Sequence, residues 1–144
     1  MKKLIYLLVT CLALLTACSK DPKPDRATPF IGDWRTEPVD SGLITFQTFW
    51  KVERSGPNMV NIATSDSVVT VDDFLPPLAI EIPVYNVKID ESGKMILNYT
   101  RASSGVIFTY KGTANLDNEK LIATMQTTSS EDGSISSRTL IFHR

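Results

Sequence analysis

The sequence predicts an all-β fold, an antiparallel up-and-down β-barrel of about eight strands, with a β-sandwich as the alternative. Three observations carry this. Turn-forming clusters recur at short intervals: Val39-Asp40-Ser41-Gly42, Ser55-Gly56-Pro57-Asn58, Thr64-Ser65-Asp66, Asp90-Glu91-Ser92-Gly93, Ala102-Ser103-Ser104-Gly105, Asp117-Asn118 and Glu131-Asp132-Gly133. Between them lie runs rich in Val, Ile, Thr, Tyr and Phe, which suit a pleated, half-buried surface. No run places apolar residues at the spacing of a helix face. A long meander leaves exposed edges unless it closes. Closure removes them, and about eight strands can enclose one small ligand. A sandwich needs long crossings between sheets, and the chain offers one candidate, around Asp72 to Pro77.

The elements follow in order. In Leu43 to Arg54, Ile44, Phe46, Thr48, Trp50 and Val52 share a face. From Leu78 to Asp90 the alternation slips phase near Pro83, where a bulge, a bend or an edge is expected because proline has no N–H to give a ladder. In Gly105 to Leu116, Val106, Phe108, Tyr110, Ala114 and Leu116 line one face around Gly112, where a sharp bend is expected. In Lys120 to Thr128, Leu121, Ala123 and Met125 share a face. In the last run Leu140 and Phe142 share one face, Ile135 and Ile141 the other. Such alternation means one buried and one wet face.

The chain opens Met1-Lys2-Lys3 and runs apolar from Leu4 to Leu15. A bilayer span needs about 20 apolar residues, so this shorter run is a signal peptide. It ends Leu15-Thr16-Ala17-Cys18, which resembles the bacterial lipobox. The resemblance implies that the Cys18 thiol is diacylglycerated, the chain is cut before it, and the new amine is acylated. Several acyl chains make a stable anchor where one is marginal. The expected organisation is a lipoprotein signal peptide over 1–17, a lipidated cysteine and extended linker over 18–29, and one barrel domain over 30–144. Ser19-Lys20-Asp21 is similar to the export signals of Bacteroidota surface lipoproteins. The expected location is therefore the bacterial cell envelope, lipid-anchored in the outer membrane, on its periplasmic or outer side. Cleavage discards Cys11 and lipidation consumes Cys18, leaving no cysteine for a disulfide. It also removes Lys2 and Lys3 from 15 basic residues, so 13 face 16 acidic ones, a net charge of −3. That is no footprint for nucleic acid.

The domain begins Phe30-Ile31-Gly32-Asp33-Trp34-Arg35 and ends Leu140-Ile141-Phe142-His143-Arg144. A Gly-x-Trp at the first strand and a terminal arginine resemble the lipocalin (calycin) barrels, and the whole pattern resembles the lipocalin-like lipoproteins of Bacteroidota. The resemblance implies that Gly32 lets the chain enter the barrel floor, that Trp34 plugs it, and that Arg144, rather than Arg138, packs across the indole. It makes these three structural residues, not ligand contacts.

Chemistry-bearing motifs are sparse. His143 is the single histidine, so a catalytic triad or histidine metal site is not expected. No glycine-rich phosphate loop is present. The acidic pairs Asp72-Asp73, Asp90-Glu91 and Glu131-Asp132 lack the spacing of a calcium loop and are expected to be solvated turns. No enzyme, metal or cofactor is expected. Two candidates remain. The inward row Phe46, Trp50, Phe108, Tyr110 and Met125, with Thr48 and Tyr99 as polar handles, lines either a filled core or an apolar cavity. The connection Phe74-Leu75-Pro76-Pro77-Leu78 is apolar, and Phe74, Leu75 and Leu78 would each expose roughly 1.5–3 kcal/mol of burial free energy. It serves as a plug over the mouth, a ligand portal or a partner surface. The expected function is binding of a small apolar or amphipathic ligand by a membrane-tethered barrel. The alternative is an envelope adaptor with a filled barrel that meets a protein partner through Phe74–Leu78.

Overall fold

Hairpin follows hairpin along the chain, so each strand lies beside its neighbour in sequence. This computed structural model describes residues 24–42, 44–70 and 80–144. The strands are β1 (Gly32–Thr36), β2 (Val39–Asp40), β3 (Ile44–Gly56), β4 (Met59–Thr70), β5 (Ile80–Ile89), β6 (Met95–Ser103), β7 (Val106–Asp117), β8 (Lys120–Ser129) and β9 (Ile135–His143). All neighbours are antiparallel, and β1 closes the ring by pairing with both β9 and β3. The architecture is a closed barrel of eight strands with β2 as a short extra strand beside β3.

β1 and β2 are two parts of one interrupted strand. Arg35 faces Phe49 and Val39 faces Phe46, so three residues on one side oppose two on the other. Glu37-Pro38 makes this bulge, where proline's missing N–H does no harm. Thr36 ties the bulge down: its hydroxyl accepts from the Thr48 amide at 3.0 Å, and its carbonyl from the Gln47 side chain at 2.8 Å.

One local expectation needs correction. Thr64-Ser65-Asp66 is not a turn, since β4 runs straight through it and pairs with both neighbours. Ser65 faces outward, while Thr64 is buried and the Asp66 carboxylate accepts from the Thr48 hydroxyl at 2.7 Å, so turn-like composition here serves an inner wall. The phase slip expected near Pro83 falls at Tyr85-Asn86, between the pairs Ile62–Val84 and Val60–Val87. Asn86 takes the left-handed backbone there, φ 55°, as asparagine tolerates. Pro83 itself pairs with Ala63 of β4, and its other side has no described strand partner. Gly112 continues β7 between Leu97 and Met125. The β8 backbone passes so close that a Cβ at Gly112 would stand 2.0 Å from the Thr124 carbonyl oxygen.

The core fills one end of the barrel. Trp34, Val52, Val60, Ile62, Met95, Leu97, Leu121, Met125 and Phe142 are all essentially inaccessible there. A 3-10 turn at Thr28–Phe30 crosses below and seals this floor with Ala27 and Phe30. The folded body reaches back to Asp25, whose carboxylate pairs with Arg54 and accepts from the Ala27 and Asn58 amides.

The wall is continuous only at the floor. β1 meets β9 at Arg35–His143 and Thr36–Phe142, and among the described residues β5 meets β6 at Lys88–Ile96 and Ile89–Met95. Above these short seams no ladder pairs join the two four-stranded halves, β1–β3–β4–β5 and β6–β7–β8–β9, among the described residues. The seams stand on opposite sides of the barrel.

Candidate functional site

The inward face changes character partway up. At the floor it is apolar throughout. One step higher on the first half come Thr48 and Asp66, directly paired, then Phe46 and Val68. On the second half the row Leu97, Gly112, Met125 carries Arg138 next to it, followed by Tyr99, Tyr110, Thr127 and Ser136, then Arg101 and Phe108. The apolar floor and the polar upper half come from the same strands because every second residue points inward.

A cleft of about 730 Å³ opens along the β9 seam, where β1 ends and β9 has no further partner on that side among the described residues. Phe46, Val39, Val68 and Leu140 give it apolar walls, and Thr48, Asp66 and Arg138 give it polar groups. At its rim His143 Nε2 lies 3.8 Å from Glu37 Oε1. Thr36, Glu37, Gln47, Ser67, Lys120, Thr139 and His143 also line it, so polar residues outnumber the apolar ones, and the cleft offers both kinds of contact to a small molecule.

Tyr99 and Tyr110 stack nearly parallel, ring centroids 4.7 Å apart. Burial pushes the Tyr99 phenol up to about 12; Tyr110 and Asp66 add to this, and Arg138 and Arg101 oppose it. Tyr99, Arg138, Arg101 and Asp66 thus share one electrostatic neighbourhood inside the upper barrel.

The expected cavity residues divide between these two regions. Phe46 and Thr48 line the cleft. Tyr99, Tyr110 and Phe108 stand in the upper half, partly buried. Trp50 and Met125 belong to the filled core; the Trp50 ring packs on Phe142 with centroids 4.5 Å apart. Among the described residues the barrel is therefore filled below, and its upper half carries the cleft. Asp66, Arg138 and Leu140 are among the cleft residues that sequence reasoning missed. Leu140 shares a face with Phe142 in the sequence pattern and Arg138 has the same parity, so a signal is present for both.

Trp34, Gly32 and Arg144 sit at the floor, away from the cleft. The Trp34 indole N–H donates to the Phe30 carbonyl at 2.8 Å. The Arg144 guanidinium lies over the indole, 4.7 Å from its centroid, and donates to the Pro29 carbonyl at 2.8 Å. Gly32 has φ +137°, a backbone that side chains rarely adopt. Phe74, Leu75, Leu78 and Cys18, the residue expected to carry lipid, lie outside the described residues, as do Asp72-Asp73.

The two described acidic pairs organise turns. Asp90 accepts from the Lys94 amide at 2.9 Å and the Ser92 hydroxyl at 2.8 Å, bonds that hold its carboxyl below the usual range. Asp132 is held low in the same way, chiefly by the Ser134 amide at 2.9 Å. Among the described residues no three His, Cys, Asp or Glu side chains gather as a metal site. No protein-family model matches the chain, and no curated protein is significantly similar to it in sequence.

Proposed function

We propose that this chain is a lipid-anchored, lipocalin-like barrel of the bacterial cell envelope that binds one small apolar or amphipathic molecule in its upper half. The observation that carries this is the seam cleft, an apolar-walled concavity of about 730 Å³ with Thr48, Asp66 and Arg138 converging on it. The filled floor supports it. A packed apolar base holds the two half-sheets in register, and above it, among the described residues, no ladder pairs cross the two seams. The lipobox-like start supports the tether, since a carrier held at a membrane is well placed to receive apolar cargo.

The test uses a neutral environment-sensitive probe, N-phenyl-1-naphthylamine. Its emission should rise and saturate at one site per chain, and Thr48→Trp, which fills the cleft, should abolish the rise. Absence of saturable binding, or binding indifferent to Thr48→Trp, would overturn the proposal.

A further inference from the structure

We infer that the seam cleft holds a single-chain amphiphile with an anionic head, that Arg138 is the head-group contact, and that the gap between β9 and β2 is the way in. The inference rests on the ligand-binding reading above and names the class of ligand.

Arg138 is the pivot. It faces inward, opposite the buried Met125 and on the same side of β9 as Leu140 and Phe142. An arginine cannot be neutralised, so an inward position demands water or an anion. Water reaches this side chain, for it is exposed despite pointing into the barrel. Among the described residues no carboxylate lies within ion-pair distance of it. Of the two carboxylates that line the cleft, Asp66 is engaged by the Thr48 hydroxyl at 2.7 Å and Glu37 lies beside His143 at 3.8 Å.

The cleft's own lining is balanced, Glu37 and Asp66 against Lys120 and Arg138, and Arg101 stands above it on the same inward face. The sign of the guest therefore rests on Arg138 having no carboxylate partner among the described residues. Inward charges of the upper half, among the described residues, are Arg101 and Arg138 against Asp66, which leaves one positive charge. At the rim Glu37 and Lys120 offset each other. One net cation presenting a planar fork suits a monoanion such as a carboxylate, which arginine can bind through two parallel hydrogen bonds. The apolar wall of Phe46, Val39, Val68 and Leu140 suits an alkyl chain.

The route follows from the strand pairing. Among the described residues β9 has no strand partner on this side before Phe142, so no ladder closes the wall beside Arg138 there. A chain laid across this gap reaches the cation without threading through the mouth.

The test is calorimetric titration of the full chain with dodecanoate, dodecanol and dodecyltrimethylammonium, all below micelle-forming concentration. Dodecanoate should bind at least about tenfold tighter than dodecanol, a difference of about 1.4 kcal/mol, and the ammonium amphiphile should bind weakest. Arg138→Gln should erase the preference for dodecanoate over dodecanol. Arg138→Lys should retain part of it, and Asp66→Asn should strengthen it. Equal binding of dodecanoate and dodecanol, or tighter binding of the cation, overturns the head-group assignment while leaving the apolar site standing. Failure of all three to bind overturns the ligand-binding reading as well. The wild-type comparison needs no variant, so the test holds even if Arg138→Gln folds poorly.

Discussion

Trp34 is the residue on which the floor depends. Its ring is buried, its N–H is satisfied by Phe30, and Arg144 covers its open face. Trp34→Ala should cost about 3–5 kcal/mol in chemical denaturation; a loss below about 1 kcal/mol would mean that the plug is dispensable. Arg144 is exposed, so its cation–π contact is worth only about 0.5–1 kcal/mol, and Arg144→Ala should show a loss of that order in the same assay. Tyr99 supplies a pH dependence. Its folded pKa, pushed up to about 12 by burial, lies above the ordinary phenol value near 10. The folded state therefore binds more protons than the unfolded state between these values, so this contribution to stability is complete below about pH 10 and is lost as pH rises toward 12. Tyr99→Phe should flatten that fall in alkaline unfolding curves. An unchanged slope would mean that the phenol is not buried as described.

At the scale of the element, the decisive feature is unequal pairing. β7 and β8 are paired on both sides along nearly their whole length, whereas β9 before Leu140 and β5 before Val87 are paired on one side only among the described residues. Backbone amides in 80–87 and 135–140 should exchange with solvent faster than those of β7 and β8. Equal protection would indicate a wall closed to the mouth. Strand identity was legible because alternation is local: Leu121, Ala123 and Met125 announce an inward face with no knowledge of partners. The seams were not legible, because where β1 stops pairing with β9 depends on residues over 100 positions apart. Asp66 was hidden for a different reason. Thr64-Ser65-Asp66 has the composition of a turn, and only the Thr48 hydroxyl across the strand pair makes it an inner wall. Arg138 could be placed by parity, but its value as a site depends on the open flank beside it.

For the whole molecule, the sequence posed a choice between a filled and a hollow barrel, and the answer divides along the axis. Large apolar side chains pack the floor, and polar or aromatic ones line the separated upper half. Volume set this division, and volume arises only when strands from both halves face each other. The tether is a separate property. Cys18→Ser should release the protein from membranes into the soluble fraction of a cell extract, and continued tight association would contradict lipidation at that residue. The most direct measurement for the central claim is amide chemical-shift mapping during titration with N-phenyl-1-naphthylamine. Shifts should saturate at one probe per chain and concentrate at Phe46, Thr48, Asp66, Arg138 and Leu140, with Val60, Met95 and Leu121 at the floor unmoved. Shifts confined to the outer surface around Phe49 and Lys51, or no saturable shifts, would contradict a ligand site in the upper barrel.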